Sequence, residues 1–278
     1  MELTAENVKA KLALRWNAVF YEQVDSTNDI AMQHLQQNRS FLQAQVAGDV
    51  IVADEQVKGK GRLDRTWYTP PGTALIVSVI LPILEREYLP RVTMLGSVAI
   101  AEMLEQIPHP LAPSPYNGEG EQENDWKIGI KWPNDVQVNG KKVCGILSEA
   151  HWAINSVNAP KLWGVVLGMG VNVRIDFGGT ELAETAISIE PALGKPVNRL
   201  DLLGDLMARV DYWYARIGSD ELFDAWKSRL NMLGKMVTVQ QGTIHGLAES
   251  VDANGTLLVR DAQDVLHRVM AGDIALGS

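Results

Sequence analysis

The sequence predicts a mixed α/β protein of the α+β kind, in which helices pack on a central mixed or antiparallel sheet and a small β-domain follows. Three observations carry this. Two apolar β-rich runs, "DVIVADE" and "TALIVSVILP", precede a helical pattern in "LPRVTMLGSVAIAEMLEQI". A series of strand signals then starts at Lys127. Beyond Leu233 the texture changes to short runs of Val, Leu and Ile broken by glycine.

The first two runs are continuous and of strand length, which fits strands buried on both faces. In the next segment Val92, Leu95, Val98, Ala99, Met103 and Leu104 recur at helical spacing. Residues 109–126 gather Pro, Gly, Ser and acidic side chains without an apolar period, so a solvated, disordered insertion without chemistry is expected there. "KIGIKW", "DVQV" and "KKVCGILSEA" then read as strands, the last two joined by Asn139-Gly140, a strong two-residue hairpin signal, and "LWGVVLGMGVNV" reads as another. Two helical patterns follow: Leu200, Leu203, Leu206, Met207 and Val210, then Leu222, Phe223, Trp226 and Leu230, with Gly218-Ser219-Asp220 between them. The last 45 or so residues, with turns at Gly242, Gly246 and Asn254-Gly255, predict a small β-barrel or sandwich. The expected division is 1–233 and 234–278.

Composition bounds the function. At 278 residues and 46% hydrophobic the chain can bury a full core, and a net charge of -9 argues against sequence-independent nucleic-acid binding, which needs a broad basic surface. The single Cys144 excludes an intramolecular disulfide framework, offers no zinc pattern and reads as a buried small hydrophobe. No signal-peptide core and no apolar run of about 18 residues is present. No membrane partner is expected, and the cytoplasm is the expected compartment.

Against this acidic background "QVKGKGRLDRTW", residues 56–67, sets four cations, Lys58, Lys60, Arg62 and Arg65, against the one carboxylate of Asp64, on a backbone loosened by Gly59 and Gly61. A solvated surface loop explains such a run, and so does a loop that holds one small anion. "GKGRLDR" lacks P-loop spacing, "GMGVNV" closes a strand instead of opening a helix, the five histidines are scattered, and no GxSxG elbow occurs. No protein-built metal site is expected.

Other stretches read two ways. "VDSTNDIAMQHL" is a helix start with Ser26 as N-cap and Asp29 at the capping-box position, or a compact polar cluster for a ring or carboxylate. "KWPNDV", 131–136, is a turn between strands, or a strand end where Lys131 and Asp135 meet a charged group. Lys141 and Lys142 point to opposite faces of one strand, so one faces a ligand side and the other reaches water. Trp67 is partly core, or covers a base or phosphate.

Taken in order, "DSTND", "ADEQVKGKGRLDRTW", "KWPNDVQVNGKKVCGIL", "GMGVNV" and the terminal β-domain resemble the biotin protein ligases, the biotin–[acetyl-CoA carboxylase] ligase family, from about Phe20 to the C-terminus. The resemblance implies a class II synthetase-like catalytic domain followed by an SH3-like barrel. It places Ser26, Thr27, Asn28, Gln56, Lys60, Gly61, Arg62 and Lys142 at biotin. Gly59, Lys60, Arg62, Arg65, Trp67, Lys131, Asn134 and Asn172 fall by the same resemblance near ATP and its phosphates. Lys60 stands where an arginine is usual and Asp64 where a glycine is usual, which removes a bidentate fork and a flexible hinge. With about 19 residues before the first motif, a DNA-binding winged helix has no room, and a repressor role is not expected.

The implied reaction joins biotin's carboxylate to the α-phosphate of ATP, with Mg²⁺ shielding the triphosphate, and then passes the biotinyl group to a lysine of the biotin carboxyl carrier protein of acetyl-CoA carboxylase. On this reading Lys142, Arg62 and Asp135 are the catalytic groups, Asp135 serving the acceptor amine, and the basic loop is a lid over the adenylate. Two rivals stay open: a lipoate or octanoate ligase or transferase of the same fold, and a module that binds biotinyl-AMP without turnover. The sequence fixes no oligomeric state, and a homodimer stays open.

Overall fold

The computed structural model describes residues 2–12, 15–37, 48–63, 65–82, 85–108, 126–154, 160–239 and 242–276. Asp64 and residues 109–125 of the expected insertion lie outside them. Trp126 does not belong to an insertion: it is 7% exposed and its indole donates to the Leu104 carbonyl at 3.2 Å, which makes it part of the core.

The elements run α1 (Ala5–Leu12), β1 (Asn17–Val24), α2 (Thr27–Gln37), β2 (Asp49–Gln56), β3 (Ala74–Leu81) and α3 (Leu89–Glu105). Then come β4 (Ile128–Lys131), β5 (Asp135–Val138), β6 (Lys141–Ile154), β7 (Pro160–Asn172), α4 (Ile189–Leu193), α5 (Arg199–Tyr214) and α6 (Asp220–Lys227). The chain closes with β8 (Met236–Val239), β9 (Ile244–Val251), β10 (Leu257–Arg260), β11 (Leu266–Val269) and β12 (Ile274–Leu276). Sequence patterning finds most of these but not α1, β1 or α4.

Seven strands form one mixed sheet in the order β1-β2-β3-β7-β6-β5-β4, in which only the β1/β2 pair is parallel. The turn between β5 and β6 has Asn139 at φ 52 and Gly140 at φ 78, the left-handed pair that a tight hairpin demands. Because successive strand residues point to opposite faces, the sheet sorts its side chains into two sets. Val50, Val79, Leu81, Val165 and Leu167 face the larger core with α3 and α5. Ile51, Ile80 and Val166 face Ala31 and Leu35 of α2 on the other side.

The helices are closed by local chemistry. Asn198 caps α5 by accepting from the Leu200 and Asp201 amides, and Ser219 caps α6 by accepting from Leu222. The five C-terminal strands form an antiparallel sheet, β11-β10-β9-β8-β12. Its buried Val237, Val259 and Val269 belong to the same apolar cluster as α3, and the Trp132 indole donates to the Gly255 carbonyl at 2.8 Å.

Candidate active site

A cavity of about 440 Å³ lies on the α2 side of the large sheet, beyond the N-terminus of α2. Its floor follows from β alternation. On β7, Leu167, Met169 and Val171 turn into the core, which leaves Gly168, Gly170 and Asn172 on the cavity side. Gly170 pairs with Gly145 of β6, and Gly168 pairs with Ser78 of β3 and Leu147 of β6. Missing side chains make this surface flat. A Cβ on Gly170 would stand 2.5 Å from the Trp67 indole nitrogen, and one on Gly168 would overlap the Asn28 amide oxygen.

At the α2 end a polar cluster gathers. The Thr27 amide and hydroxyl both reach Gln56 Oε1, at 2.8 and 2.9 Å. Ser78 Oγ lies 2.8 Å from Thr27 Oγ1 and 2.6 Å from Asn28 Oδ1. Asn28 Nδ2 donates to Glu149 at 2.6 Å. Ser26, Thr27 and Asn28 are all buried. Ser26 does precede a helix, and the Asp29 carboxylate pairs with Lys60.

At the other end Lys142 Nζ pairs with Asp135 Oδ1 at 2.7 Å and stands over the Trp67 ring, 5.1 Å from its centre. Asn134 is fixed twice: its Nδ2 donates to the Ile146 carbonyl at 2.7 Å and its Oδ1 accepts from Arg62 at 3.1 Å. Asn172, 2% exposed, spends both amide hydrogens on the Lys142 and Ile187 carbonyls, so it braces the site and offers a ligand only its oxygen. Lys131 lines the cavity and faces Asp135 across the β4/β5 pair. Lys141 does not simply reach water, since its Nζ donates to the Ala183 carbonyl at 3.1 Å.

The basic loop forms one wall, and its cations are matched. Lys58 pairs with Asp25 at 2.8 Å, Lys60 with Asp29 and Arg65 with Asp273 of the C-terminal segment. The Asp29 hydrogen bond raises the Lys60 ammonium above its ordinary value. Among the described residues only Arg62 of the four has a neutral partner, Asn134. Gly59 departs from the expected set: it does not line this cavity but lies against the Trp67 carbonyl and Gln56, on a groove outside the loop.

Fourteen of the fifteen expected site positions line this cavity, all but Gly59, and other groups that the sequence reading overlooked also shape it. The 174–187 segment adds Phe177, Leu182 and Ala186, tied to the start of β6 because the Lys142 amide donates to Thr185 O and Lys142 O accepts from Ile187. The glycine floor is legible only through strict period-two counting along β6 and β7. Cys144 is fully buried, and burial pushes its thiol up, as a structural residue requires.

The profile described as the Biotin/lipoate A/B protein ligase family matches residues 20–172, and that of the Biotin protein ligase C terminal domain matches residues 232–277. A "Biotin--[acetyl-CoA-carboxylase] ligase" of Paracoccus denitrificans is 31% identical over 221 residues, 76% of this chain and 83% of that protein. The "Bifunctional ligase/repressor BirA" of Bacillus spizizenii is 29% identical over 238 residues, 83% of this chain but 66% of the relative, so the chain spans just under two thirds of that protein. Among solved structures, a biotin protein ligase from Aquifex aeolicus in complex with biotin and ATP superimposes with a TM-score of 0.67 at 24% identity, covering 94% of this chain and 98% of that one. That last likeness concerns the fold.

Proposed function

The chain belongs to the biotin/lipoate A/B protein ligase family, and from that premise we propose that it activates biotin with ATP and transfers the biotinyl group to a lysine of the biotin carboxyl carrier protein of acetyl-CoA carboxylase. The observation that carries this reading is one cavity with a polar, ring-sized cluster at Thr27, Asn28 and Gln56 and the Lys142–Asp135 pair at its other end. Hydrogen-bonding groups at the first end suit biotin's ureido ring and would be left unmatched by the alkyl chain of octanoate or the dithiolane of lipoate.

In the first step a biotin carboxylate oxygen attacks the α-phosphorus, the bond to the bridging oxygen breaks, and pyrophosphate leaves. Two anions must meet. Lys142 bridges carboxylate and α-phosphate, Arg62 adds charge from the loop, and Lys60 and Arg65 exchange their carboxylate partners for phosphate oxygens. Lys131 and Asn134 support the phosphates, while Trp67 and the Asn172 oxygen face the nucleotide. ATP enters as its magnesium complex, as substrate. Among the described residues no group of three His, Cys, Asp or Glu side chains converges.

In the second step the carrier lysine attacks the acyl carbon and AMP departs. The amine must be neutral, and Asp135 orients it or takes its proton. Until then the loop, closed over the adenylate, keeps water from the mixed anhydride. The reaction belongs in the cytoplasm; no helix among the described residues is long and apolar enough to cross a membrane.

The test is single-turnover kinetics with biotin, ATP and a carrier fragment, following adenylate and biotinylated carrier separately. The reading predicts adenylate that forms first and is consumed by carrier. No adenylate formed from biotin and ATP, with supplied biotinyl-AMP still bound, would instead mark a binding module. If Asp135→Asn transfers biotin from supplied adenylate at the wild-type rate, its role in the second step is wrong.

A further inference from the structure

Arg199 opens α5 on the opposite side of the large sheet from the cavity, and its side chain is only 11% exposed. Its Nη1 donates to the Ala74 carbonyl at 3.0 Å and stands 2.7 Å from Asp54 Oδ1. Asp54 continues the row of Val50 and Val52, which face the larger core, because strand residues two apart share a side. The two contacts fall on the two strands between which the basic loop runs. Asp54 stands near the end of β2, just before the loop leaves, and Ala74 opens β3, just after it returns. The β2/β3 ladder ends at the Ala53–Ile76 pair, and Arg199 joins the strands just past that end. One side chain therefore grips both roots of the loop.

The roots are held far more firmly than the tip. Three consecutive carbonyls on the returning side are all bonded: Gly72 O accepts from Arg174 at 2.9 Å, Thr73 O from the Val173 and Arg174 amides at 3.1 and 2.8 Å, and Ala74 O from Arg199. The tip hangs on the exposed ion pairs of Lys58, Lys60 and Arg65, each of which contributes little. A largely buried ion pair is a poor source of stability, since both charges give up water to meet, and two well-packed apolar side chains often do as well. What Arg199 and Asp54 supply is a fixed separation between the outgoing and returning chain.

We propose that Arg199 and Asp54 are positioning residues for the basic loop: from the far side of the sheet their ion pair fixes the two roots of the loop, and so sets how tightly the closed loop seals the adenylate. This rests on the reading of the loop as a lid given above. It adds that retention of the intermediate depends on two side chains, one of them outside every recognised motif, that do not line the cavity at all. Without the pair the roots separate, the tip closes less completely, and adenylate escapes before the carrier arrives.

The test separates position from stability by removing the charges singly and together. Arg199→Met and Asp54→Leu each strand one buried charge and should melt below wild type, whereas the double variant strands none and should melt close to it. The readout is ATP consumed per biotin transferred to a carrier fragment. In the double variant this ratio should rise roughly fivefold, the scale of one lost interaction. Arg199→Lys, whose single ammonium can still touch both oxygens, should stay near the wild-type ratio. Asp54→Asn keeps the shape of the side chain without its charge and should leak more than wild type, which keeps the test decisive if the double variant does not fold. A double variant that melts and transfers like wild type overturns the proposal, as does Asp54→Asn with a wild-type ratio. Absence of adenylate formation by wild type would instead overturn the ligase reading, so the two failures are told apart.

Discussion

The ammonium of Lys142 stands 5.1 Å from the centre of the Trp67 ring, while its Nζ holds the Asp135 carboxylate at 2.7 Å. Lys142 is thus poised between a π face and an anion, two partners that a negatively charged substrate could displace. Lys142→Ala should slow adenylate formation by about 10² or more, the scale on which one preorganised electrostatic group contributes to a transition state. Transfer from supplied adenylate should fall much less. Arg62→Ala should show a different signature, adenylate released into solution, visible as ATP consumed in excess of biotin transferred. Rapid-quench measurement of both species decides between them.

The Trp67 ring rests where Gly145 and Gly170 leave the sheet bare, with its indole nitrogen buried. Gly170→Ala places a Cβ 2.5 Å from that nitrogen. The ring must shift, at a cost of about 1–3 kcal/mol for overpacking. Calorimetric melting should show that loss, and Kd for biotin should rise with it. An unchanged melting temperature and Kd would mean that Trp67 does not depend on this floor.

How far the sequence shows this site depends on which physical signal each part leaves. The hairpin at Asn139-Gly140, the buried runs of β2 and β3 and the apolar stripe of α3 are each written in neighbouring residues, and they fold as the local pattern demands. The cavity floor is also written there, but only as the alternation that sends Gly168 and Gly170 to the face opposite Leu167 and Met169. Pairings such as Arg65 with Asp273 leave no local trace, because two ordinary surface charges are brought together only by the packing of the C-terminal sheet on the rest of the chain. Ser78 is hidden for a similar reason: within "ALIVSVIL" it reads as one more strand residue until Asn28 is laid against it.

The segment that closes one wall is anchored by charge. Arg174 donates to Glu190 at 3.0 and 2.6 Å, and this bonding holds the Glu190 carboxyl below the ordinary glutamate value of about 4.3. A lowered folded-state value stabilises the fold fully above the unfolded value and ceases to do so as the pH falls through the folded one. The stability gap between wild type and Glu190→Gln should therefore be constant near neutrality and close below about pH 4.3. Urea melts at a series of pH values measure it; a gap that widens on acidification would contradict the sign.

Arg65 and Asp273 are 66% and 47% exposed, so their ion pair contributes little to the fold, about 1 kcal/mol at most. Its consequence lies in the loop. Asp273→Asn should leave melting nearly unchanged and speed tryptic cleavage after Arg62 or Arg65. Equal cleavage rates in the two proteins would show that the loop is held elsewhere.

Pyrophosphate exchange into ATP tests the central claim most directly, with biotin, lipoate and octanoate offered in turn to the purified protein and Mg²⁺. Exchange that depends on biotin and is lost in Lys142→Ala is the predicted result. Exchange supported by lipoate or octanoate but not by biotin, or none with any of the three acids, would contradict it.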